Sequence, residues 1–325
     1  MFRIFALFVV LAIPARADVA DAIDQHILPG YAAFADATAA LDAAAKADCT
    51  ADGLRPAYHQ SFDAWMTVSH LRFGPAEVDG RSHAVVFWPD LKSLGAKAQL
   101  AMIRVHDPAV QDPVAFAEVS VAARGLLALE RLLYSAEPLG DADYVCALIR
   151  ATTADLARNA SAISAEWQTD FASTLLTAGS AGNTRFLTEI EARQALYTAL
   201  ITGFEFVADQ RIGRPLGTFD KPRPERAEAR ASGRSLSNIT RSLTALQQFA
   251  KALATDTPAT DAAFVRAFAV AAKAQDPILA DLNEPQGWLR AEILQQAIRA
   301  IRDAAVLEIG PALDVGVGFN AADGD

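Results

Sequence analysis

The stretch Val119-Ser-Val-Ala-Ala-Arg-Gly-Leu-Leu-Ala-Leu-Glu-Arg-Leu-Leu-Tyr134 decides how this chain is read. At 100° per residue, Ala122, Leu126, Leu129 and Leu133 fall on one apolar stripe, the spacing of an amphipathic helix. Glu130 sits on the flank of that stripe, near Leu127 and Tyr134, while Arg131 points elsewhere. A carboxylate so placed is partly desolvated and needs a cation, a basic side chain or several donors. A salt bridge to a neighbouring arginine and a functional role both fit that need. Gly125, one turn earlier, costs the helix about 1 kcal/mol unless it admits a second helix at close range.

Working outward, the helical period recurs nearly everywhere. It predicts helices over 20–47, 54–73, 96–104, 113–135, 144–177, 185–213, 232–254, 261–274 and 285–309. Gly74-Pro75 stops the second, and Trp88-Pro89-Asp90 bends an irregular run over 78–94. No strand pattern stands out. The expected fold is all-α. Loops at 179–183 and 213–225 read as linkers. Gly125…Glu130 leads to Pro138-Leu-Gly140 much as Gly203-Phe-Glu205 leads to Pro215-Leu-Gly217, a faint echo of the kind that duplication or chance leaves. Two packed units suit a chain of 325 residues better than one helical core.

Composition excludes some functions. The formal charge is −10 with 52% hydrophobic residues, and an acidic chain without a basic stripe argues against nucleic acid and anionic membranes. Met1-Phe-Arg3, the apolar run 4–13 and Ala15-Arg-Ala17 form a signal-peptide pattern cut after Ala17. That run is too short to span a bilayer, so the expectation is an exported protein of the periplasm or cell envelope, without a membrane span. In that compartment the two cysteines, Cys49 and Cys146, are expected to bridge.

Standard catalytic signatures are missing: no His-Glu-x-x-His helix, Gly-x-Ser-x-Gly elbow, phosphate loop or dinucleotide fingerprint. Among the five histidines, His59 and His70 share a helical face but lie about 16 Å apart along its axis. They cannot chelate one ion together. The tail Gly316-Val-Gly-Phe-Asn-Ala-Ala-Asp-Gly-Asp325 ends in three closely spaced acidic groups, which a cation, donors or plain solvent would relieve.

The tail Gly318-Phe-Asn320-x-x-Asp323-Gly-Asp325, the run His70-Leu-Arg-Phe-Gly-Pro75 after Trp65, the Trp88-Pro89-Asp90 bend and the Gly125…Glu130 helix together resemble the imelysin family over essentially the whole mature chain. These are exported bacterial proteins, often iron-regulated, first described as insulin-cleaving metallopeptidases. The resemblance implies two helical bundles related by approximate duplication, 18–178 and 179–325, with a site in the cleft between them and the tail docked.

The family's signature helix reads Gly-x-His-x-x-Glu, proposed to bind metal. Here Leu127 stands where that histidine belongs, and Glu130 remains. Leucine has no lone pair, whereas catalytic zinc wants three good protein ligands, so enzyme activity is open and leans toward absent. His26 matches an early histidine of the family. With Glu130, Asp90, Asp323 and Asp325 it would form an oxygen-rich set suited to hard cations, ferric iron first. Arg72 and Arg81, with Trp88 and Asn320, could instead clamp an anion such as an iron chelate. Trp65 and Trp88 read as core or cavity wall. Three readings stand: a periplasmic accessory of iron acquisition that binds iron, another cation or an iron chelate alongside other iron-uptake components; a zinc-type metallopeptidase; and a non-catalytic structural or adaptor protein.

Overall fold

The computed structural model describes residues 18–316. The expected leader, residues 1–17, and the tail residues Asn320, Asp323 and Asp325 lie outside the described residues. Among these the chain is helical without strands; Thr218 and Lys221 alone form an isolated antiparallel bridge. The longer helices are α1 (Leu28–Ala47), α2 (Ala51–Val68), α3 (Leu94–Val105), α4 (Gly125–Leu133) and α5 (Ala142–Glu166). They continue as α6 (Glu189–Glu205), α7 (Ser235–Leu253), α8 (Pro258–Ala271) and α9 (Pro285–Ala312). A π-helical turn, Ile23–Ile27, precedes α1, another, Trp167–Phe171, follows α5, and a longer π-helical stretch, Phe206–Gly213, prolongs α6.

Side chains that satisfy otherwise orphaned backbone donors set several helix starts. Thr50 accepts from the Gly53 N–H to open α2, and Asp141 from that of Tyr144 to open α5. At α6 the Thr188 hydroxyl accepts from Glu191 N, while Glu191 reaches back to Leu187 N at 2.6 Å, a variant of the capping box.

The continuous helix expected over 113–135 is broken. Pro113–Ala117 and the tight turn Val121–Ala123 precede α4, which begins at Gly125. Gly125 has φ +76°, and a Cβ there would lie 2.1 Å from the Ala84 carbonyl oxygen and 2.3 Å from that of Val85. Only glycine meets both demands. Close approach does explain this glycine, although the neighbour is the short helix Arg81–Val85. The helix expected over 54–73 likewise ends at Val68, so His70 and Arg72 stand in the following turn.

α1 packs between α2 and α5, α8 packs along α9, and α2 lies against α7. One contiguous apolar core therefore reaches from Ala22 to Leu313. Polar ties cross the same seam. Arg234, buried at the start of α7, pairs with Asp63 and donates to His59 Nδ1, whose Nε2 lies 2.7 Å from the Tyr134 hydroxyl. Cys49 and Cys146 form the expected disulfide, tying the α1–α2 turn to α5. No helix among the described residues is long and apolar enough to cross a membrane.

Candidate functional site

Glu130 lies on the last full turn of α4 and is 8% exposed. Its Oε1 accepts two hydrogen bonds from Ser232, from the backbone N–H at 2.8 Å and from the hydroxyl at 2.6 Å. Burial raises its pKa, while the Ser232 donors and Arg131 pull the other way. Burial also raises the pKa of Tyr58, whose hydroxyl reaches Ser232, with Glu130 adding to the shift.

Glu130 and Leu127, three residues apart on α4, line a cavity of about 520 Å³. Asp90 and Trp88 line it too, so three of the residues singled out from sequence do converge. Asp90 is committed to structure: its two oxygens accept the Leu94 and Gly95 N–H groups, each at 2.8 Å, and so open α3. Arg131 is similarly engaged, donating to Gln99 Oε1 at 2.8 Å and to the Ala122 carbonyl at 2.9 Å.

The same cavity is lined by Arg214, Arg226 and Arg230. Among the described residues none of these three has a carboxylate within 4 Å, and the Nε atoms of Arg214 and Arg230 are buried without a partner. The remaining acid on the wall, Glu225, faces Arg223 at 3.8 Å. Four arginines thus meet three carboxyl groups, and each of those acids already has a partner inside the fold. The arrangement favours an incoming anion.

The other expected residues lie elsewhere. His26 is buried in the Ile23–Ile27 π turn, its ring 5.1 Å from that of His70 and 5.1 Å from that of Phe249. Burial lowers its pKa to about 4. Arg81 spends its fork on Glu166 through two 2.8 Å hydrogen bonds and does not line the Glu130 cavity. Arg72 stands beyond Trp88, lying flat on Phe206 at 3.9 Å. Trp88 walls both the Glu130 cavity and a neighbouring chamber of about 350 Å³ that contains Arg72. Trp65, 4% exposed, belongs to the core against Phe34 and also borders that chamber.

The described residues alone supply no direct metal site, while Asp323 and Asp325 of the expected set lie outside them. Among the described residues no group of three or more His, Cys, Asp or Glu side chains is placed to hold an ion. Leu127 offers nothing at the motif position, and the oxygens of Asp90 are already bonded. Sequence reasoning passed over Ser232, Arg214, Arg226 and Arg230. A compositional signal was present, since six arginines (Arg211, Arg214, Arg223, Arg226, Arg230 and Arg234) crowd into 24 residues of an acidic chain.

The fold is that of an all-helical protein with a cavity beside Leu127 and Glu130 of α4. The imelysin family model matches residues 27–306, and the chain belongs to that family. It is 27% identical over 320 residues to Iron-regulated protein A of Synechococcus elongatus, covering 89% of this chain and 84% of the relative. The crystal structure of an imelysin-like protein from Psychrobacter arcticum superposes with a TM-score of 0.75 at 19% identity, covering 93% of this chain and 96% of that one. A Parabacteroides distasonis crystal structure gives 0.67 at 13% identity, over 88% and 93%. Both likenesses are of fold.

Proposed function

We propose that this imelysin-family protein is an exported accessory of iron acquisition that takes iron as an anionic chelate rather than as a bare ion. The observation that carries the reading is the group of Arg214, Arg226 and Arg230, without carboxylate partners among the described residues, in the same cavity as a glutamate already held by Ser232. Ferric iron wrapped in hard oxygen donors presents a negative surface, and guanidinium forks match carboxylate geometry. A cavity of about 520 Å³ suits such a ligand, being of the size small-molecule sites usually have. The iron connection comes from the name of the Synechococcus relative. Export, a leader cleaved after Ala17, a division into bundles at 178/179 and their origin by duplication belong to the same reading. The disulfide supports an oxidising compartment.

Calorimetric titration of the purified chain with ferric citrate tests it. Saturable binding that weakens at least tenfold in an Arg226→Ala, Arg230→Ala double variant is the expected result. No saturable binding, or binding indifferent to both changes, would sink the proposal. A second reading, a structural or adaptor role, draws on one observation: the Glu130–Ser232 bonds join residues 102 apart. On that reading Glu130→Ala lowers the melting temperature, and no variant of the cavity alters ligand binding because there is none.

A further inference from the structure

Two cavities meet at Arg72, and neither includes Glu130. One, of about 280 Å³, lies beneath the Phe206–Gly213 π stretch; the other, of about 350 Å³, is the chamber bordered by Trp88. Arg72 is held in a fixed pose at their junction. Its Nε donates to the Ser69 carbonyl at 3.3 Å, and its guanidinium carbon sits 3.9 Å above the Phe206 ring centroid. Arg211 approaches the same ring at 4.9 Å, but its charge is answered by Glu228 at 2.8 Å. Among the described residues the two terminal nitrogens of Arg72 have no hydrogen-bond partner and no carboxylate within 4 Å.

The side chain is exposed to solvent, with protein packed around its base. Desolvation by the surrounding protein, with Arg211 nearby, lowers its pKa to about 10, with Glu228 opposing, so it stays cationic at neutral pH. Stacking plus one backbone hydrogen bond pre-orients a charged fork and lowers the ordering cost of binding.

The 280 Å³ cavity supplies a second polar group. His70, 7% exposed, lines it, and its Nε2 is buried without a hydrogen-bond partner among the described residues. Gly203 makes room for this histidine, because a Cβ there would come within 3.0 Å of His70 Cβ and 2.6 Å of Leu246 Cδ2. Leu246 and Val207 give apolar wall. Two acids also line it: Asp209 pairs with Arg299 at 2.7 Å, and Glu205 pairs with Arg302 at 3.5 Å.

We infer that this cavity is a second binding site, independent of the Glu130 cavity, for a small organic acid. Its carboxylate bonds to the terminal nitrogens of Arg72, and its body lies between Leu246 and His70. Benzoate, lactate and acetate, titrated into the full chain by calorimetry and ligand-observed NMR, are the probes. At least one acid should bind saturably below 10 mM (on the order of −3 kcal/mol), and its neutral amide should not. Arg72→Met should weaken that binding tenfold or more, while the Arg226→Ala, Arg230→Ala variant leaves it unchanged. The site is refuted by the absence of saturable binding, by equal binding of acid and amide, or by loss in the Arg226/Arg230 variant instead. The acid–amide comparison needs no variant, so the test stands even where Arg72→Met fails to fold. Ferric citrate binding depends on Arg226 and Arg230, so the two sites stand or fall separately.

Discussion

Glu130 Oε1 receives both the backbone N–H and the hydroxyl of Ser232, a residue 102 positions further along the chain. A buried acceptor serving two buried donors makes truncation costly: the hydroxyl can still turn to the Ala229 carbonyl, but the Ser232 backbone N–H would be left without a partner. Glu130→Ala should destabilise the fold by about 2–4 kcal/mol. Glu130→Gln, which keeps an oxygen in place, should cost clearly less. Chemical denaturation of both variants checks this, and equal losses would contradict the account.

His26 makes stability depend on pH. Its folded pKa of about 4 lies below the ordinary value of 6.5 because burial disfavours the imidazolium, a Thr67 backbone hydrogen bond opposing. The unfolded chain therefore binds the proton first as pH falls. Stability is unaffected above about pH 6.5 and declines between there and pH 4, by about 3 kcal/mol for this residue. His70, buried beside it and also shifted well down, acts in the same direction. Melting curves of wild type and His26→Phe from pH 7 to pH 4 should converge as pH drops, the variant having the shallower slope.

The Cys49–Cys146 bridge spans a sequence separation of 97. On the chain-entropy account, closing so long a loop stabilises by about 4–5 kcal/mol. A Cys49→Ala, Cys146→Ala double variant should unfold at markedly lower denaturant concentration. Reductant should shift wild type in the same direction and leave the variant unmoved.

Two glycines with similar backbones give a sharp contrast. Gly125 and Gly80 have φ of +76° and +67°, but a Cβ at Gly80 meets nothing within 4 Å. Gly80→Ala should cost about 1 kcal/mol, the strain of the left-handed conformation alone. Gly125→Ala must also displace the Ala84 and Val85 carbonyls and should cost more than about 4 kcal/mol or abolish soluble expression. Thermal melts of the pair separate strain from collision.

Helix content was readable because apolar spacing is a local property; the stripe of Ala122, Leu126, Leu129 and Leu133 is buried as its period requires. The break at Gly125 was not, since its cause is the Ala84–Val85 backbone, some forty residues away in sequence. The same distinction governs the cavity. Glu130, Asp90 and Trp88 were recognisable as chemistry-bearing residues, and they meet. Ser232 was invisible as a partner because nothing near it in the chain announces Glu130. Arg81 read as an anion clamp from sequence, yet Glu166, 85 residues later, takes both its arms.

Trp88 walls the Glu130 cavity on one side and the Arg72 chamber on the other. An indole in that position is a built-in optical witness: whatever occupies either compartment changes the polarity around the same fluorophore. With Trp65, Trp167 and Trp288 replaced by phenylalanine, emission from this one ring can follow both occupancies without any attached label, and a shift that depends on the order of addition would reveal whether the two compartments communicate.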